Sequence, residues 1–258
     1  QIVPSLTNFY VEQGKSFQAG TVLRIEGTSF TENLTVDFVS GMTVQTTQVV
    51  STSVSHNNSL ASVVVPEGTG DGSLKVYTEG GESNALDVAI ANILALSGET
   101  VLGMPANPAE TAVNAGKEIR INGKDLTPDT TVLIPVRSYG GQVETYETTG
   151  NLQGNTIYLL TPENLATGPV RIRHPNTGFS IDEFALQVVP TLDKAKVVGG
   201  GDLEPGAELE IQGSGFTSSM QVHFQGGSTT AFNVSELNDT ARVNVINSGT
   251  LWPVYLST

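Results

Sequence analysis

The residue types that most often carry chemistry are few and scattered in this sequence. The three histidines, His56, His174 and His223, have no cysteine, histidine or carboxylate at a spacing that would complete a metal site. No serine stands in a G-x-S-x-G elbow, and the glycine clusters lack the lysine and following helix that phosphate binding requires. The chain has no cysteine, which removes disulfides, thiolate ligands and cysteine nucleophiles. We therefore expect a protein that is not an enzyme and that has no cofactor.

Carboxylates are the one abundant ligand type, and calcium is the metal they would suit. Asp202 and Glu204 near one junction, or Asp71 and Glu67 at a loop, could supply oxygen ligands. Ca²⁺ needs about six to eight oxygens, and no D-x-D-x-D-G loop is present. Calcium therefore stays an alternative, against the simpler interpretation of exposed loop charge.

Aromatic rings provide the only candidate surface for a glycan. Trp252 is the single tryptophan and is expected on the outward face of a late strand, while Tyr139 and Tyr146 flank a turn at Gly140-Gly141. Either group could stack on a sugar, although exposed single aromatics are ordinary in proteins.

The overall charge of the chain bears on which kinds of partner it can bind. The formal net charge is −14, which disfavours nucleic acid and anionic membrane surfaces. No stretch approaches the ~20 apolar residues that span a bilayer, so we expect no membrane insertion.

One stretch occurs three times and organises the chain. Residues 20–31, 116–127 and 206–217 share the pattern G-x-x-Φ-x-I-x-G-x-x-[F/L]-T, where Φ is aliphatic. The copies begin 96 and 90 residues apart, a spacing that fits tandem small domains better than a solenoid.

Each copy alternates apolar and polar residues, as a strand with one buried face does. Leu23 and Ile25 share one face of the first copy, and a second alternating strand, with Val36 and Phe38, begins nine residues after the second glycine. Gly and Pro interrupt the chain at short intervals and no window has a long helical period. The sequence therefore predicts an all-β protein.

These residues resemble the IPT/TIG family of Ig-like domains. The resemblance lies in Pro4-Ser-Leu, G-x-x-L-x-I-x-G-x-x-F, V-x-F, Val65-Pro66, G-x-L-x-V and Glu82-Ser83-Asn84. The middle copy has Leu126 in place of Phe and lacks the Ser-Asn pair. The resemblance implies three tandem immunoglobulin-like β-sandwiches, a module found in bacterial surface proteins and adhesins, enzyme accessory regions, receptor ectodomains and some transcription factors.

We place the three domains at residues 1–91, 92–189 and 190–258. The junctions at 89–93 and 188–191 are short and not Gly/Ser-rich, which predicts limited flexing between neighbours. Residues 98–115 form an insertion that we expect to act as an inter-domain brace, a binding loop or a plain loop.

The third unit is shortened. Gly249-Thr-Leu251 follows the second glycine by 36 residues, where the first two units have 45, so we expect residues 251–255 to be equivalent to residues 74–77. The third sandwich would then lack its last strand, and Leu251, Val254 and Tyr255 would lie at an open edge that accepts a strand. A fragment end, a strand from another chain and a natively shorter unit are the three explanations.

The function expected from these features is structural. We expect a tandem Ig-like stalk or adhesin segment of a bacterial extracellular or cell-surface protein, with protein partners or self-association. The alternatives are a filament or virion subunit that assembles by strand donation, and a carbohydrate-binding accessory module.

Overall fold

The computed structural model of the 258-residue chain describes residues 1–40, 46–55, 57–138, 141–224, 227–236, 238–246 and 255–257. Every regular element in these ranges is a β-strand, which confirms the all-β prediction. No helix in the described part is long and apolar enough to cross a membrane. By the density of its internal contacts the chain forms two compact units: residues 1–93, 123–131 and 172–182, and residues 94–122, 132–171 and 183–258. The predicted three-domain boundaries stay a prediction.

The first sandwich consists of two sheets that enclose one core. Their strand orders are β1-β2-β6-β5 and β4-β3-β7-β8, with β9 also paired to β7. These orders are those of the immunoglobulin fold, in which strands A, B, E and D face strands C, F and G. The strands are β1 (Ser5–Val11), β2 (Val22–Thr28), β3 (Thr35–Ser40), β4 (Thr46–Val50), β5 (Ser53–Val54), β6 (Leu60–Val64), β7 (Gly72–Thr78), β8 (Gly81–Glu82) and β9 (Leu86–Val88).

The second sandwich repeats this topology and adds one strand. Its sheets have the orders β10-β12-β16-β15 and β11-β19-β17-β13-β14, with β18 on β17. The added strand, within the predicted insertion, pairs in parallel with the last strand of the sandwich. The strands are β10 (Asn92–Gly98), β11 (Thr111–Val113), β12 (Glu118–Lys124), β13 (Thr131–Arg137), β14 (Val143–Thr148), β15 (Asn151–Gln153), β16 (Thr156–Leu160), β17 (Gly168–His174), β18 (Gly178–Phe179) and β19 (Phe184–Val188).

The third sandwich has two three-stranded sheets among the described residues. Their orders are β20-β21-β24 and β23-β22-β25, which correspond to strands A-B-E and C′-C-F. The strands are β20 (Thr191–Val197), β21 (Glu208–Ser214), β22 (Gln221–Phe224), β23 (Gly227–Thr230), β24 (Thr240–Asn244) and β25 (Tyr255–Ser257).

The repeated stretch forms strand B of each sandwich, as its alternation predicts. Its inward residues are almost completely buried in all three copies: Leu23, Ile25, Ile119, Ile121, Leu209 and Ile211. The polar residues between them face outward because side chains alternate along a strand.

The second glycine of the pattern is closely approached by the backbone of strand A and by the residue three positions after it. A Cβ on Gly27 would lie 2.0 Å from Ser5 O and 2.6 Å from the Phe30 ring, and one on Gly213 would meet Thr191 O at 1.9 Å. Phe30 and Phe216 are fully buried. Both rings therefore belong to the core of their sandwich, whereas Leu126 is only half-buried.

The predicted register of the last strand in the third sandwich is wrong. Leu256 pairs with Val222 as Val76 pairs with Val36, so Leu256 takes the place that the sequence prediction would give to residue 253. Val76 follows Gly27 by 49 residues and Leu256 follows Gly213 by 43, so six residues are missing rather than nine.

A loop motif that the sequence analysis missed locates this deletion. In the first sandwich Ser55 Oγ accepts the Leu60 N–H and the Asn58 N–H donates to Ser55 O; Ser235 and Asn238 repeat the arrangement. Ser55 and Ser235 each precede the F-strand residue by 21 positions, so the deletion lies before this S-x-x-N loop.

The middle copy lacks the Ser-Asn pair, as the sequence indicates, but it keeps the serine and its hydrogen bond. Ser83 Oγ accepts the Val76 N–H at 2.9 Å, and Ser180 Oγ accepts the Ile172 N–H at 3.3 Å in the second sandwich. Ile181 rather than asparagine follows Ser180, so only half of the pair is absent.

Candidate functional site

The predicted aromatic and edge residues are only partly placed by the structure. Tyr146 lies on β14, an edge strand of the second sandwich, and is 47% exposed. Tyr255 lies on β25 of the third sandwich, where it pairs with His223. Trp252, Tyr139, Leu251 and Val254 lie outside the described residues. The two candidate aromatic surfaces and the strand-accepting edge therefore stay predictions.

Asp71, one of the carboxylates that could supply ligands to calcium, is held by contacts within the protein. Asp71 Oδ1 accepts the Ile90 N–H at 2.8 Å, and Oδ2 forms an ion pair with Lys124. Both oxygens thus hold the point where the first sandwich passes into the second. Among the described residues, no group of three or more His, Cys, Asp or Glu side chains is arranged to hold a metal ion.

The most extensive polar contact at this first junction is made by the hairpin that joins β17 to β18. This junction hairpin (residues 172–182) runs beside the loop that follows β1. Phe17 N–H donates to Thr177 O at 2.9 Å, and Phe179 N–H donates to Lys15 O at 3.1 Å. Ser16 and Gly178 form an antiparallel bridge between these two bonds. The two segments are therefore joined in the manner of a short β-ladder.

Gly178 makes this approach feasible. Its φ is +75°, and a Cβ there would lie 2.1 Å from Lys15 O and 2.6 Å from Val11 Cγ2. A side chain would therefore collide with the backbone of the first sandwich, in addition to its strain at positive φ.

The side chain of Asn176 extends the same contact. Its Nδ2 donates to Asn8 Oδ1 and to Phe9 O, each at 2.8 Å, and the backbone O of Asn176 accepts the Val11 N–H at 3.0 Å. Nearby, Asn92 Nδ2 donates to Asp182 Oδ2 at 2.7 Å. These bonds are directional, so they oppose rotation at the junction as well as separation.

His174 holds the turn of the junction hairpin. It is 7% exposed, and its Nδ1 accepts the N–H of Asn176 at 3.2 Å and of Thr177 at 3.3 Å. An Nδ1 that accepts carries no proton, so the ring is in the neutral form with its proton on Nε2. Burial lowers the pKa of His174, and the Asp125 carboxylate acts in the opposite direction. Asp87 lines one cavity beside the ring, and Glu12, Lys15 and Arg173 line another.

Two buried amide side chains lie beside the second junction, within the second sandwich. Asn114, 1% exposed, accepts the N–H groups of Val101 and Leu102 and donates to Leu102 O and Val189 O. Gln187, 5% exposed, accepts the Asn107 N–H and donates to Asn107 O.

Glycines let the segments at this second junction approach closely. A Cβ on Gly103 would lie 2.7 Å from Val189 Cγ1, and one on Gly215, in the third sandwich, would lie 2.8 Å from Val188 Cγ1. With its amide oriented for hydrogen bonding, Asn238 accepts from Arg137 Nε at 2.7 Å. The insertion at 98–115 therefore contacts Val189 of this junction, and its role as a brace, a binding loop or a plain loop stays a prediction.

Sequence reasoning missed these junction residues because they lie outside the repeated pattern. The Asn-Thr-Gly sequence at 176–178 is a turn signal, but a turn signal does not indicate what the turn contacts. Asn114 and Gln187 give no local sign of being buried.

Comparisons with known proteins give no functional assignment. Protein-family models and curated proteins gave no match. Among solved structures, the chain is similar to a tetra-tandem repeat in the extending region of a large adhesion protein, with 13% identity, 95% of this chain and 67% of that one covered, and a TM-score of 0.24. It is also similar to the FN1-FN3 domains of chicken CNTN1, with 13% identity, 98% and 87% coverage, and a TM-score of 0.23. The functional inference therefore depends on the geometry of the chain itself.

Proposed function

We propose that this chain is a stalk or spacer segment of a bacterial extracellular or cell-surface protein, such as an adhesin. In this role the sandwiches transmit position and load from one to the next. The resemblance of the repeated motif to IPT/TIG domains supports this assignment, because those modules occur in bacterial surface proteins.

The observation that carries the proposal is the hydrogen-bonded first junction. A flexible string of domains needs only a linker, and its domain surfaces can slide past one another. Here a β-ladder, the Asn176 side chain and the Lys124–Asp71 ion pair all join the second sandwich to the first. Such an arrangement suits a segment whose task is to hold a defined spacing.

Small-angle scattering of the full chain tests the proposal. We expect an elongated particle whose maximum dimension is the same across independent preparations and salt concentrations. Asn176→Ala removes two junction hydrogen bonds and should broaden the distance distribution, whereas Asn151→Ala on the exposed strand β15 should leave it unchanged. A compact globular profile for the parent chain contradicts the stalk function.

The carbohydrate-binding alternative depends on the predicted aromatic residues. Of these, Tyr146 is the one whose exposure is described. A glycan array on the parent chain and on Tyr146→Ala distinguishes the two functions, and the stalk function predicts no glycan whose signal depends on Tyr146.

A further inference from the structure

A turn at residues 175–178 carries several of the bonds that hold the junction hairpin on the first sandwich. The Asn176 carbonyl accepts the Val11 N–H at 3.0 Å, and the Thr177 carbonyl accepts the Phe17 N–H at 2.9 Å. By the density of its contacts the hairpin forms one compact unit with residues 1–93. Whatever fixes the shape of this turn therefore also fixes the hairpin on the first sandwich.

His174 bonds the same two residues through their N–H groups. Its Nδ1 accepts the N–H of Asn176 at 3.2 Å and that of Thr177 at 3.3 Å. The peptide group between Asn176 and Thr177 is consequently bonded at both ends, with its C=O on Val11 and its N–H on His174. The imidazole and the first sandwich are thus coupled through one rigid planar group.

This coupling depends on a neutral ring. Protonation would place a proton on Nδ1 and convert an acceptor into a donor that faces two N–H groups. The ring is 7% exposed, so its positive charge would also be poorly hydrated. The closed turn therefore excludes the imidazolium, and the charged ring becomes stable only when the turn moves and both N–H groups reach water.

The charged and titratable groups around the ring come from several elements. The Asp125 carboxylate favours the charged form of His174, and Lys124, 3.6 Å from that carboxylate, offsets part of this effect. The remaining groups line the two cavities beside the ring and are Asp87, Tyr10, Glu12, Lys15 and Arg173. These carboxylates and cations nearly balance, so the hydrogen bonds to Nδ1 and the burial of the ring decide its protonation state.

We propose that His174 is a pH-sensitive latch of the junction hairpin. Protonation of the imidazole in acid releases the turn at 175–178 from the first sandwich, while the β-sandwiches keep their own cores. The inference rests on the stalk function for its consequence alone, which is that a segment that holds its spacing at neutral pH becomes more pliable in acid.

The test follows the ring and the turn together in the full chain. Imidazole ¹⁵N and ¹H shifts report the protonation of His174, and hydrogen exchange reports the Val11 and Phe17 amides after correction for the effect of pH on the intrinsic exchange rate. A histidine in the released turn titrates near 6.5, so opening at pH 5.0 should exceed opening at pH 7.5 by up to about 30-fold. We expect the two amides to exchange about tenfold to 30-fold faster at pH 5.0, in step with the ring titration, while the amides of β2 stay protected.

Two histidine variants provide matched controls. His174→Asn retains an acceptor but does not titrate, so exchange at Val11 and Phe17 should become independent of pH. His223→Asn removes a histidine from β22 of the third sandwich and should leave the acid response unchanged. Should His174→Asn fail to fold, the coincidence of ring titration and amide exchange in the parent chain decides the question.

Three outcomes would overturn the latch. In the first, His174 takes up its proton while Val11 and Phe17 stay protected. In the second, the amides of β2 exchange together with them, so that acid unfolds the whole sandwich. In the third, the response persists in His174→Asn and disappears in Asp87→Asn, Asp125→Asn or Glu12→Gln, so that a carboxylate is the switch. None of these results bears on the scattering test of the stalk function, and a compact scattering profile would not contradict the latch.

Discussion

Replacement of Gly178 tests whether the junction hairpin is held by close backbone approach. Gly178→Ala introduces a Cβ at φ +75°, which costs roughly 1–2 kcal/mol for an L-residue. It also places that carbon 2.1 Å from Lys15 O, so the hairpin must move away from the first sandwich.

The second contribution to the free-energy cost of Gly178→Ala comes from the hydrogen bonds that this movement breaks. Three backbone bonds join the segments: Val11 to Asn176, Phe17 to Thr177 and Phe179 to Lys15. At about 0.5–1.5 kcal/mol net for each bond, their loss costs on the order of 2–4 kcal/mol. Since about 1.4 kcal/mol corresponds to a factor of ten, the amides of Phe17 and Phe179 should exchange roughly 30-fold to several hundredfold faster.

Gly141 provides the matched control. Its φ is also +75°, but a Cβ there would meet nothing within 4 Å. Gly141→Ala therefore incurs the conformational cost alone and should leave the Phe17 and Phe179 amides unchanged. Hydrogen exchange measured by NMR or mass spectrometry on the full chain provides the readout. Equal exchange at these two amides in both variants would refute the close-approach argument.

Three further predictions concern single side chains. Asn84→Ala removes both bonds to the Leu6 backbone and should destabilise the first sandwich by about 1–3 kcal/mol, measured as faster exchange along β1. Burial lowers the pKa of His174 in the folded chain, whereas the same histidine in the unfolded chain has a pKa near 6.5. The free energy of unfolding should therefore be highest above that pH and decline as the pH falls below it. His174→Asn, which retains an acceptor but does not titrate, should flatten this profile in denaturant unfolding, and a profile as steep as that of the parent would contradict the assignment. Asp71→Asn keeps an acceptor for the Ile90 N–H and should cost under about 1 kcal/mol, whereas Asp71→Ala also loses that bond and should cost about 1 kcal/mol more, by thermal unfolding.

The repeated motif and the alternating strand that follows it predict the positions of strands B and C. Leu23, Ile25 and their equivalents alternate with polar residues over a few positions, and the burial of that face follows from local geometry. Phe30 and Phe216 recur at the same position of the pattern, and the structure shows that the glycine three residues earlier leaves room for each ring.

The register of the third sandwich could not be derived in the same way. A glycine followed by an aliphatic residue at 249–251 resembles the start of strand F, but a deletion breaks the spacing on which that match depends. The S-x-x-N loop would have corrected it, since Ser55 and Ser235 keep the same distance to Val76 and Leu256.

Local alternation, turn residues and the repeat therefore predict a tandem all-β protein with immunoglobulin-like strands. The contacts that Asn176 and Gly178 make with the first sandwich, and the bond from Asn114 to Val189, are seen only in the folded chain. The physical reason is that strand formation depends on neighbours a few residues apart, whereas these contacts join backbone groups that are distant in sequence. Their partners become known only when the chain has folded.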